Sequence, residues 1–364
     1  MGRGKTKGDI MIDHRRARTA SAAVLAVASF VAAAGTFAPD VRAEGKWRVG
    51  APIPEGANEV IGAAIEGQVY VYGGQDSANK PQGLFFRYDP AKNEWTKLQG
   101  NPAPVHHGAA AAIGRKFYVF GGFRLPDTGK VGWYPEDKAW VYDVDSARWS
   151  ALPNMPTPRG ALAAVAVGKK IYVVGGAGIP KGMPLPDGLS GGGPVDLLGT
   201  TEVLDTDTNT WMSVAPMPTP RNHHSVAYVE GKIYAIGGRV GSCFSNGWSS
   251  NIWMNDAYDI ATNTWTPRAP MPTARSGTGI GVIDGKIHVM GGEGWIEDFG
   301  GVFRAHEIYD PKTNTWTRAP RMITPRHGFA AAEIGKSIFA VSGVNNAGGA
   351  GTLSVIAVNE IFEE

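Results

Sequence analysis

A tryptophan-centred unit returns six times along this chain, and its internal distances do not change. Trp47, Trp95, Trp149, Trp211, Trp265 and Trp316 stand 48 to 62 residues apart. Ten residues after each comes a marker position, held by Ala57, Val105, Arg159, Arg221, Arg275 and Arg326. Sixteen residues beyond the marker lies a Gly-Gly pair, beginning at Gly73, Gly121, Gly175, Gly237 and Gly291, with Ser342-Gly343 as the sixth. In five copies an aspartate (Asp89, Asp143, Asp205, Asp259 or Asp310) precedes the Trp by six residues. A unit repeated at this period cannot bury its own apolar face, so neighbouring copies must bury it together.

Within a copy the pieces read as strands. Lys232 to Ile236 is a β-rich run stopped by Gly237-Gly238, and Trp265 sits in a short run stopped by Pro267 and Pro270. Asp259 to Trp265 reads as a hairpin, with Asp, Thr and Asn supplying the turn hydrogen bonds. No segment carries helical periodicity over a useful length. The chain is expected to be all-β.

The aspartate–Trp spacing, the Met-Pro-x-x-Arg element and the hydrophobic run ending in Gly-Gly resemble the kelch family, from Trp47 to the C-terminus. That resemblance implies a six-bladed β-propeller of four-stranded blades occupying residues 44–364. The small-residue tracts Gly108 to Ile113 and Gly160 to Val167 then suit innermost strands crowded at the central axis. The last copy lacks its own Trp strand, while Trp47 has no strands before it. Residues from Glu44 to Gly50 are therefore expected to complete the sixth blade and close the ring, hiding two sheet edges.

Residues 1–43 are set apart. Lys5, Lys7, Arg15, Arg16 and Arg18 precede an alanine-rich run from Ala20 to Gly35, and Val41-Arg42-Ala43 fits a small-x-small cleavage site. The run is shorter than the roughly 20 residues needed to span a bilayer, so a cleaved signal peptide is expected, with a periplasmic or secreted product and no membrane anchor after cleavage. Arg15-Arg16 lacks the hydrophobic residues that usually follow a twin-arginine pair. Of 35 basic and 33 acidic residues this segment holds seven and three, which leaves 28 and 30. Such a balance gives no global attraction to nucleic acid or an anionic membrane. Cys243 is the single cysteine, so the fold must be held by its core without an intrachain disulfide. A monomer is expected.

All length variation falls between Gly-Gly and the next aspartate, in loops that emerge on the same face as the marker residues. Elaborated loops on a fixed scaffold are where binding usually resides. The candidates there are Arg159, Arg221, Arg275, Arg326 and Arg239, with Glu293, His223, His327 and the loop aromatic Trp295. Arg forks suit carboxylates, phosphates or acidic peptides, and aromatics can stack on sugar rings. The competing reading is that the marker arginines brace adjacent blades. His106-His107 and His223-His224 invite a metal reading, but adjacent strand residues point to opposite faces and no Cys/His spacing supports it, so neither metal nor cofactor is expected.

Two functions follow. One is an exported module binding a protein, peptide, glycan or anionic small molecule at an Arg-lined face. The other rests on similarity in architecture and export signal to the N-acetylneuraminate epimerases (sialic acid mutarotases). It implies ring-opening chemistry on a carboxylated sugar, with Glu293 as acid/base and Glu59 or His223 behind it. Similarity to the galactose oxidase propeller would imply copper, but the ligand tyrosines have no match here. Whether the chain is an enzyme stays open at this level.

Overall fold

The structure is a computed structural model that describes residues 43–246, 249–296, 299–348 and 354–364. The expected signal peptide, up to Arg42, lies outside the described residues, as do the loop residues Trp248, Glu297 and Asp298.

Six four-stranded antiparallel sheets form the blades of a propeller. Blade four shows the pattern: Ser225–Val229, Lys232–Ile236, Asn255–Asp259 and Thr264–Pro267, in that order from the axis outwards. Innermost strands of successive blades lie side by side, and that of blade six meets that of blade one. Small side chains let them converge: the innermost strand of blade two is Ala109–Ile113 and that of blade three is Ala163–Val167.

The ring closes as the missing Trp strand requires. Lys46–Gly50 pairs antiparallel with Asn359–Glu363, placing Trp47 opposite Phe362 as the outer strand of blade six. Blade-to-blade packing supplies the core. Tyr172, Val174 and Val203 of blade three, for example, bury against Val226, Ile233 and Tyr258 of blade four.

Each repeated residue has a fixed structural task. The aspartate side chain accepts turn N–H groups, as Asp259 does from Ala261 and Thr262. Each tryptophan indole donates to a carbonyl of the preceding blade: Trp95 to Ala51, Trp149 to Gln99, Trp211 to Pro153, Trp265 to Ala215 and Trp316 to Ala269. Trp47 completes the circle by donating to Pro320 at 2.8 Å. Glycine pairs sit where one blade touches the next marker: a Cβ on Gly121 would lie 2.4 Å from the Arg159 carbonyl oxygen. In the sixth copy Ser342 takes the left-handed conformation instead (φ 64°) and donates its hydroxyl to the Ala57 carbonyl.

Candidate functional site

Two residues after each marker the backbone turns left-handed, at Glu59, His107, Ala161, His223, Gly277 and Gly328. These six form a hydrogen-bonded ring around the axis. Each N–H donates to the preceding carbonyl: Ala161 to His107 at 2.8 Å, His223 to Ala161 at 2.9 Å, Gly277 to His223 at 2.9 Å and Gly328 to Gly277 at 3.2 Å. Val60, rather than Glu59, closes it onto Gly328 at 3.3 Å. The geometry is sixfold but the chemistry is not. Glu59, His107 and His223 carry donors, while Ala161, Gly277 and Gly328 leave their positions small.

Above this ring a cavity of about 310 Å³ opens to the loop face. Its floor is polar, with Glu59, His107, Arg239, Glu293 and His327. Trp133, Leu189 and Phe244 make an apolar wall. The Trp133 and Phe244 rings stack at 4.1 Å, and Trp133 also leans on His107 at 4.4 Å. The loops are folded back as short ribbons, such as Arg239–Val240 with Ser250–Asn251, which aim Arg239 inwards.

Polar contacts on the floor are continuous. Arg239 bridges Glu293 at 2.6 Å and donates to the Cys243 carbonyl at 2.9 Å. Glu293 also accepts the Gly348 N–H at 2.6 Å. His327 Nε2 stands 3.5 Å from Glu293 and 3.6 Å from Glu59, and His107 Nε2 is 3.4 Å from Glu59.

A family model described as the KLHDC2/KLHL20/DRC7 Kelch-repeats domain matches residues 43–187 and 190–345, and a Kelch motif model matches residues 158–218. The chain belongs to the kelch-repeat family. Kelch-like protein terF of Aspergillus terreus is 27% identical over 277 residues, covering 74% of this chain and 57% of that protein. Human Kelch-like protein 15 is 26% identical over 274 residues, covering 71% and 42%. This kelch chain thus spans about half the length of the curated relatives it matches. The solved structure of YjhT superposes with a TM-score of 0.69 at 18% identity, covering 84% of this chain and 95% of that one, which shows a shared fold.

In this kelch propeller the four marker arginines do not face the mouth. Arg159, Arg221, Arg275 and Arg326 are fully buried inside their blades. Each meets a buried acid of its own blade: Glu202 at 2.8 Å, Asp256 at 2.8 Å, Glu307 at 2.5 Å and Glu360 at 2.8 Å. Arg221 and Arg275 also donate to the Ala235 and Val289 carbonyls. Expecting them to line the mouth overlooked those acids, and bracing is what their geometry performs. Trp295 lies over Gly300 in its own ribbon and is not among the cavity's lining residues. Arg239, Glu293 and His327 do line the mouth, and His223 lies just beneath, in the ring. Sequence reasoning placed Trp133 among the loop aromatics and His107 beside a marker, but singled out Trp295 and His223 instead.

Burial sets the protonation of the kelch site. It pushes Glu59 up to about 8, helped by the Glu293 charge and opposed by Arg239. Burial would raise Glu293 too, but His327 and Arg239 hold it below the ordinary range. Burial drives His107 and His223 well below the usual imidazole value, and lowers His327 against the pull of Glu293. At neutral pH the floor therefore holds a neutral His107 and a matched Arg239–Glu293 pair.

Proposed function

We propose that this kelch propeller is an exported glycan-binding protein that takes a saccharide into the cavity at its mouth. The observation that carries the reading is the cavity's two-sided chemistry. A stacked aromatic wall, Trp133 on Phe244, faces a hydrogen-bonding floor of Glu59, Glu293 and His327. A sugar ring offers the complement, an apolar face and a hydroxyl edge, and about 310 Å³ lies at the lower end of ordinary ligand pockets. Arg239 is the one Lys or Arg among the described lining residues, and Glu293 already neutralises it. With the marker arginines also matched, a neutral saccharide suits the mouth better than an acidic sugar or acidic peptide. Export to the periplasm or medium rests on the basic, then alanine-rich segment of residues 1–43.

The test is calorimetric titration of the chain with neutral and acidic mono- and oligosaccharides. A neutral sugar is expected to bind, and Trp133→Ala to weaken it at least tenfold. If no sugar binds, or Trp133→Ala binds as tightly as the parent, this cavity is not a glycan site.

A second reading, interconversion of sugar anomers, is favoured by Glu59 and Glu293 converging on one imidazole nitrogen of His327. Two carboxyl groups flanking one histidine suit proton transfer to and from a ring oxygen. Anomer exchange followed by NMR would show it, with Glu293→Gln expected to abolish the acceleration.

A further inference from the structure

We propose that Glu59, His107 and His223 bind one divalent first-row transition-metal ion at the throat of the propeller. Their candidate ligand atoms all lie within 4.8 Å of one another, and all three side chains are screened from solvent. They are not neighbours by accident of a flexible loop. Each occupies the same left-handed position of the axial ring, so the backbone hydrogen bonds that hold the ring also fix where the three side chains begin.

The imidazoles are already oriented. His223 Nδ1–H donates to Asn222 Oδ1 at 2.6 Å. The Asn222 amide is itself fixed, because its Nδ2 donates to the Ser242 carbonyl while Arg239 Nε reaches Oδ1. That leaves the lone pair on His223 Nε2, which is buried and has no hydrogen-bond partner among the described residues. An imidazole nitrogen left without a protein partner at the throat is free to coordinate a cation, which would satisfy its lone pair. His107 is oriented the same way: its Nδ1 is engaged by His106 Nδ1, and its Nε2 is turned to Glu59. Outer hydrogen bonds that hold Nδ1 and free Nε2 are what ligating histidines ordinarily have.

Two imidazoles and one carboxylate favour zinc, cobalt, iron or nickel over magnesium or calcium, which prefer all-oxygen shells. A cation about 2.1 Å from each donor needs the donors within roughly 4.2 Å of one another, so the widest pair closes by a side-chain rotation. The remaining ring positions, Ala161, Gly277 and Gly328, line the same throat and offer no competing side-chain donor. Three protein ligands with the other side open would leave positions on the ion for water or for a molecule entering from the mouth. The site stands whether or not the mouth takes a sugar.

The test uses the untagged chain, stripped with a chelator. Co²⁺ is titrated in and followed by its visible d–d absorption, and Zn²⁺ is followed by calorimetry. One equivalent per chain is expected, with His107→Gln and His223→Gln each weakening it at least tenfold. His288→Gln, whose ring bonds His306 at 3.0 Å in blade five, is expected to leave binding unchanged. Thermal melts identify any variant that fails to fold. Asn222→Ala then serves instead, since it removes no donor but frees the His223 ring, and a tenfold to hundredfold loss is expected. The proposal is overturned if the folded parent takes up no stoichiometric Co²⁺. It is equally overturned if the two histidine variants, or Asn222→Ala where they do not fold, bind as the parent does.

Discussion

At the scale of single residues, the marker arginines show how one position serves two solutions. In blades three to six an Arg meets a buried acid three residues before the aspartate position: Glu202, Asp256, Glu307 and Glu360. In blades one and two the marker is apolar, and so is the partner position: Ala57 packs in one cluster with Phe86, and Val105 in another with Trp140. Charge goes with charge and carbon with carbon. Arg275→Met would leave Glu307 buried without its counter-charge and is expected to cost about 3–5 kcal/mol. Adding Glu307→Leu should recover most of that loss, because the apolar pair already works in two blades. Urea denaturation of the single and double variants checks this, and equal losses in both would refute it. The pairing was legible in the sequence, since the acids track the arginines copy by copy. It went unread because spacing fixes the level of a residue along the axis, not whether its side chain turns to the mouth or between strands. His107 and His223 show the same lesson: aligned on the markers, they are one position, although their His-His pairs are offset by one.

At the scale of elements, fixed spacings disclosed the blades and the closing strand, while the loops stayed unreadable. Constant intervals are imposed by ladder pairing and by the circle of indole bonds, so they survive in the chain as numbers. Which aromatic of a variable loop reaches the mouth depends on how that loop packs on its neighbours, which is why Trp133 rather than Trp295 forms the wall. The strand Lys46–Gly50 is the element whose removal tests the closure. Without it the Asn359–Glu363 edge is bare, and Trp47 no longer packs on Phe362 and His306. Trp47→Ala alone is expected to cost about 3 kcal/mol, the low end for a tryptophan that is only half-buried. A chain beginning at Ala51 should melt lower still and associate with rising concentration through the unpaired edge. Light scattering beside thermal melts reads both effects. A truncated chain that stays monomeric and melts with the parent would mean that closure adds little.

At the scale of the whole molecule, the closed ring buries seven histidines among the described residues: His106, His107, His223, His224, His288, His306 and His327. Burial lowers every one, His106 and His224 to about 3 and His288 to about 4. In the unfolded chain the same side chains titrate near 6.5. Above that pH neither state binds these protons, and the stability linked to them is fully present. As pH falls below 6.5 the unfolded chain takes up protons that the folded chain refuses, so stability is lost down towards the folded values. Each histidine adds a slope of up to about 1.4 kcal/mol per pH unit over its window. Buried carboxyls, Glu59 foremost, pull the other way: Glu59 is protonated when folded and ionised when unfolded between about 4.5 and about 8. From pH 8 down to 6.5 Glu59 acts without the histidines and stability should rise gently. Below 6.5 the histidines outnumber it and stability should fall steeply, placing the maximum near pH 6.5. Denaturant titrations of chelator-treated protein from pH 4.5 to 8 measure the curve. His288→Gln, remote from the mouth, should flatten the acid limb by the slope of about one proton. A stability that holds level from pH 6.5 to 5 would show that the interior admits enough water to let these rings charge in place.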